Sequence, residues 1–106
     1  MEEHIMIADV ILKNKQFYIL DERGKEISRK WEDELGELIG FSDVFLVFKR
    51  RDIFYSYDEN FKENAHKWVS ELGECKNVVG SIANFRKGER IFTRDRFFGE
   101  ISNRWV

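Results

Sequence analysis

The sequence predicts a mainly β chain built from three tandem 37-residue meanders, and three observations carry that reading. The three tryptophans, Trp31, Trp68 and Trp105, stand 37 residues apart. The same offset superimposes Asp21, Asp58 and Asp95, then Tyr18, Tyr55 and Phe92, then Phe17, Phe54 and Ile91, then Glu26, Glu63 and Glu100. Within each copy, aromatic and β-branched runs of strand length alternate with polar turn residues. The chain reads as one domain whose copies are residues 1–31, 32–68 and 69–106.

Each copy opens on a strand-like run: IADVILK at 7–13, VFLVFK at 44–49 and VGSIANF at 79–85. Polar turns follow at Asn14-Lys15, Arg50-Arg51-Asp52 and Arg86-Lys87-Gly88-Glu89. They lead into FYILD, IFYSYD and RIFTRD, so every copy carries a hairpin. After the repeated aspartate, Gly24 supplies the residue that a short loop with positive φ requires, with Asn60 as its counterpart in the second copy. The segment ending at each tryptophan fits two patterns. Ile27, Arg29 and Trp31 alternate like a strand, while Ile27, Trp31, Leu35 and Leu38 fit helical spacing. Gly36 and Gly73 would cost a helix interior about 1 kcal/mol each, which favours three-stranded meanders, with ββα repeats as the alternative.

Composition narrows the class. No apolar run reaches the roughly 18 residues that a membrane span needs, and Met1-Glu2-Glu3-His4 lacks the basic and apolar regions of a secretion signal. A cytoplasmic chain with no membrane association is the expectation. The single cysteine, Cys75, permits no internal disulfide, so burial of apolar groups must hold the fold, and sixteen aromatic residues supply them. Absence of proline and only seven glycines leave no linker-like or low-complexity stretch.

The stretch FYILDERGKEISRKWEDELGELIGFSDVFLVFK, residues 17–49, resembles the WG-repeat family of bacterial β-repeat proteins: strand, Asp-x-x-Gly turn, strand, aromatic, then Phe-Ser-acidic and an apolar strand. Tyr18 and Ile19 stand where that family's tryptophan and glycine would be, and Phe61 and Phe98 replace the turn glycine. The short units also resemble blades of β-propellers. The resemblance implies a propeller-like or trefoil-like arrangement and supplies no catalytic residue. Ordinary closed propellers have about four to eight blades, so three units must manage their edges by barrel closure, capping or a homodimer of six blades. VFLVFK is the run whose exposed edge would most invite another strand.

Catalytic and metal constellations are scarce. His4 and His66 lack partners at ligand spacing, and Cys75 has no base at an equivalent position in another copy, so no metal, cofactor or enzymatic activity is expected. Asp21, Asp58 and Asp95 read as turn residues whose carboxylates bond backbone N–H groups. The three indoles read as equivalent core elements, with stacking on a sugar ring as the alternative. Hairpin turns gather Lys13, Lys15, Lys49, Arg50, Arg51, Arg86 and Lys87 on one rim, opposed mainly by Asp52 and Glu89. The opposite rim holds Asp21, Glu22, Asp58 and Glu59, and net charge by copy runs 0, −4 and +2. A basic rim in a chain of net charge −2 suits an acidic protein surface better than nucleic acid. The expected function is therefore a non-enzymatic protein-interaction module of inhibitor or immunity type, with a lectin-like carbohydrate binder as the alternative.

Overall fold

The hairpins close where the turn residues lie. In the computed structural model, which describes residues 5–106, Asn14 and Lys15 take φ of 51° and 65° and join β1 (Asp9–Lys13) to β2 (Gln16–Leu20). β3 (Glu26–Trp31) completes a first antiparallel sheet ordered β1-β2-β3. β4 (Glu37–Phe41), β5 (Leu46–Arg50), β6 (Ile53–Tyr57) and β7 (Glu63–Trp68) form a second sheet in chain order. β8 (Glu74–Val79), β9 (Ile82–Lys87), β10 (Arg90–Asp95) and β11 (Glu100–Trp105) form the third. One-turn helices α1 (Glu32–Leu35) and α2 (Val69–Leu72) link the sheets. The described chain is thus mainly β, eleven strands in three antiparallel sheets.

The segment that fitted both patterns is both in turn. β3 runs through Ile27, Arg29 and Trp31, with a bulge that turns Ile27 against core residues while Arg29 and Trp31 stay exposed, and then a single helical turn carries Leu35 into the core. Two strands absent from the sequence-based reading, β4 and β8, lie ahead of the runs assigned as opening strands. The run 79–85 divides at Gly80-Ser81, with Val79 closing β8 and Ile82 opening β9. Bulges at Leu38/Gly40 and at Cys75/Asn77 break the alternation that would have marked β4 and β8.

The core comprises two apolar layers, one on each face of the middle sheet. Leu46 and Phe48 of β5 and Tyr57 of β6 enter the first layer with Phe17 and Ile19 of β2. Val47 and Phe54 enter the second with Ala83 and Phe85 of β9. The period of two along a strand sends neighbours to opposite faces, so one strand pair serves both layers. Rings meet edge to face at matching places: Phe17 lies 5.1 Å from Phe48, and Phe54 lies 5.4 Å from Phe85. Leu35 closes the first layer and Leu72 the second.

The left-handed turn residue in the second sheet is Phe61 rather than Asn60, with φ of 57°, and Phe98 at 62° is its counterpart in the third. A left-handed conformation costs an L-residue about 1–2 kcal/mol. Full burial of a phenylalanine contributes about 1.5–3 kcal/mol, and both rings are buried, Phe61 in the first layer and Phe98 in the second, so packing outweighs strain. Gly24, which has open space around it, takes φ of 78° in the first sheet.

Gly36 and Gly73 terminate the two helical turns, each at φ of 89°. A Cβ on Gly36 would lie 2.5 Å from the Lys49 carbonyl oxygen, and one on Gly73 would meet the Arg86 carbonyl. Gly36→Ala and Gly73→Ala should each lower unfolding free energy in a denaturant titration by about 2–4 kcal/mol, combining backbone strain with overpacking. Gly24→Ala, without a steric neighbour, should cost only about 1 kcal/mol. Equal losses at the three positions would contradict the close approach.

Candidate functional site

Antiparallel pairing sets the position of the tryptophans. Trp31 ends β3 opposite Gln16, the first residue after the β1-β2 turn. Trp68 ends β7 opposite Ile53, and Trp105 ends β11 opposite Arg90. All three therefore lie at the ends of outermost strands, on the rim formed by the basic hairpin turns. The expectation of core indoles is corrected here: Trp31, Trp68 and Trp105 are 52%, 57% and 70% exposed. The layers between sheets are filled by phenylalanine, leucine, isoleucine and tyrosine, and a residue at the end of an edge strand has a neighbouring strand on one side only.

Backbone bonds fix the rim. The amide of the residue after each tryptophan donates to the turn beside it: Glu32 to Lys15 O at 2.9 Å, Val69 to Asp52 O at 2.8 Å and Val106 to Glu89 O at 2.8 Å. A cleft of about 350 Å³ beside Trp31 is lined by Gln16, Arg29, Lys30 and Glu34. A second, of about 310 Å³ beside Trp68, is lined by Ile53, His66, Lys67 and Glu71. Each lining residue of the second stands 37 positions beyond one of the first. Each cleft therefore presents an indole, a lysine, a carboxylate and a planar cationic or imidazole group. Lys67 Nζ lies 3.3 Å from Glu71 Oε2, and His66 Nδ1 lies 2.8 Å from Glu63 Oε2. At Trp105, the Arg90 guanidinium instead lies 4.2 Å from the ring centroid and bonds Asn103 Oδ1, covering one face of the indole.

The basic residues occupy the same rim but not as a uniform positive field. Arg50 donates to the Glu34 carbonyl and stacks 4.6 Å from the Tyr55 centroid. Lys87 Nζ donates to Glu71 O at 3.4 Å, and Arg86 Nε to Gly88 O at 3.2 Å. Arg50 and Lys87 therefore satisfy carbonyls of the helical turns, groups such a turn leaves without partners. Lys13, Lys15 and Arg51 are exposed, and Lys49 is half-buried. Through α1, the acidic group Glu32-Asp33-Glu34 joins this rim and interleaves with the cations, a juxtaposition not evident from the linear sequence.

The repeated aspartates occupy the opposite rim with their carboxylates engaged by their own turns. Oδ1 of Asp21 accepts from Arg23 N and Lys25 N, both at 2.9 Å. Asp58 accepts from Asn60 N and Lys62 N at 2.8 and 2.9 Å, and Asp95 from Phe97 N and Gly99 N at 2.9 Å. No group of three or more histidine, cysteine, aspartate or glutamate side chains among the described residues is placed to hold a metal ion. His4 lies outside the described residues. No helix among them is long and apolar enough to cross a membrane.

The 37-residue offset that aligned the tryptophans also carries the residues around them that reading by residue type passed over: Gln16 with Ile53, Arg29 with His66, Glu34 with Glu71. Asking which positions flank an indole across the hairpin would have found them.

Cys75 packs against the second layer, and burial pushes its thiol up to about 11 from the ordinary value of 9.0. At pH 8 the folded chain should react with iodoacetamide about a hundredfold more slowly than the urea-unfolded chain, because the thiolate is the nucleophile and each pKa unit is tenfold. Rates within a few-fold of one another would contradict its burial. Compared with models of known families, with characterised proteins and with solved structures, the chain matches none.

Proposed function

We propose that the chain is a non-enzymatic binding module of three tandem 37-residue units set side by side in a propeller-like arc, and that its tryptophan-bearing rim docks a protein partner. The observation that carries this reading is the display of three indoles, each more than half exposed, on one rim. Tryptophan and arginine are the residues that most often dominate interface energies, and a solvated indole retains a large apolar area for burial on docking. Interleaved lysines and carboxylates on that rim suit a partner surface of mixed charge, and charge complementarity then fixes register more than affinity. The WG-repeat-like pattern fits a repeat scaffold of this kind, and an inhibitor or immunity-type role is consistent with its size.

A lectin-like function is the second reading, favoured by the twin clefts. An indole face with an amine, a carboxylate and a planar donor around it offers apolar stacking together with hydrogen-bonding groups suited to a sugar ring. The two readings diverge in what they expect to be captured.

Trp31→Ala and Trp68→Ala together should abolish capture of a protein partner from the native cell extract, while the denaturation midpoint moves little because both side chains are more than half exposed. Glycan titration of the unmodified chain should leave its tryptophan fluorescence unchanged. Capture that survives the double substitution would overturn the protein-docking reading. A saturable glycan response lost with it would establish the lectin-like one.

A further inference from the structure

We infer that the outer edge of β1 is a seam between two copies of this chain, in which β1 pairs antiparallel with β1 of a second copy about a two-fold axis at Ile11. Among the described residues β1 pairs with β2 alone. The strands 37 and 74 positions further on, β5 and β9, are each flanked on both sides. β1 is also composed like an interior strand. Asp9-Val10-Ile11-Leu12-Lys13 contains three consecutive large aliphatic residues with no proline and no bulge in its pairing, two of the devices that blunt an edge, and confines its charges to the two ends, Asp9 and Lys13. Ile11 and Leu12 are 38% and 50% exposed.

The register follows from the hairpin. A two-residue loop makes Lys13 and Gln16 a hydrogen-bonded pair, so by antiparallel alternation Ile11 and Asp9 also direct their N–H and C=O groups at β2. Val10 and Leu12 then turn theirs to the open side. Consistent with that direction, the Val10 amide donates to the Asp9 carboxylate at 2.8 Å rather than to a strand. A two-fold axis at Ile11 brings Val10 of each copy opposite Leu12 of the other and forms four backbone hydrogen bonds. Asp9 of each copy then faces Lys13 of the other at both ends of the seam. These are non-hydrogen-bonded pairs, where facing side chains approach most closely. Freed from the Val10 amide by the new ladder, the Asp9 carboxylate turns to that lysine.

Charge selects this arrangement over its competitors. Parallel pairing would set Asp9 beside Asp9 and Lys13 beside Lys13. An antiparallel slip of two residues would put Asp9 opposite Ile11 and leave Lys13 without its carboxylate. The resulting sheet would run continuously through six strands, β3-β2-β1 of one copy and β1-β2-β3 of the other.

Light scattering and sedimentation of the full chain, from low micromolar to millimolar concentration, should reveal a reversible dimer. Asp9→Lys and Lys13→Asp should each raise its dissociation constant about tenfold, since either change turns two attractive cross-strand pairs repulsive. The combined variant, with charges exchanged, should restore association, and unaltered melting points would separate these effects from misfolding. Hydrogen exchange should slow at the Val10 and Leu12 amides as concentration rises, while the Ile11 amide is protected throughout. A chain that stays monomeric across the range overturns the seam, and so does a dimer indifferent to the three variants.

Discussion

The fold depends on a middle sheet that buries both of its faces. β5 and β6 alternate large apolar residues between the two layers, Leu46, Phe48 and Tyr57 on one side and Val47 and Phe54 on the other. Those residues reach zero to 4% exposure, a degree of burial matched on the flanking sheets only at positions that face the middle one. Period-two side-chain placement normally sorts residues into a buried and a solvated face. Here the strands read as continuous apolar runs, as strands covered on both faces do. The first and third sheets are in this sense the lids of the second.

Turn chemistry follows from the same constraint. The turns at Asp58 and Asp95 carry a phenylalanine in a left-handed conformation, and its ring plugs the layer toward the preceding sheet. The first sheet has no described sheet on that side, and the corresponding place is Gly24, which satisfies the backbone without a ring. The far side of the third sheet is polar where the middle sheet is apolar. Asn84 stands 37 residues beyond Val47 and bonds Asn77 at 2.8 Å and Thr93 at 2.6 Å. A hydrogen-bonded amide and hydroxyl ladder is stable against water, whereas an aliphatic face there would invite further packing.

Much of this was legible in the residues. Paired runs such as Phe17-Tyr18 and Phe54-Tyr55, bounded by polar turns, located the hairpins, and the aspartates marked the turns that follow. Local chemistry settles those features. β4 and β8 escaped because bulges beside Gly40 and Lys76 erase their alternation. The indoles were misplaced for a different reason: a strand's amino-acid pattern does not say whether its last residue lies at a sheet edge, and pairing order alone decides that. The acidic group beside the basic rim was not legible, because Glu32-Asp33-Glu34 reaches that rim through the single helical turn α1, not through the strand ladder. Tertiary arrangement also explains why Phe61, against its intrinsic preference, holds a left-handed position that Asn60 would occupy at lower backbone cost.

Phenylalanine inside and tryptophan outside separate what holds the sheets from what the rim displays. The layers hold the sheets without any indole, so the proposed docking at the rim draws on side chains that the core does not use. Native-state hydrogen exchange tests the underlying architecture most directly, since local opening energies reach the global value only in the last elements to unfold. The slowest amides should lie in β5 and β6, with protection falling through the first and third sheets toward β1 and β11. Slowest exchange in a flanking sheet, or even protection across all three, would contradict a core organised on both faces of the middle one.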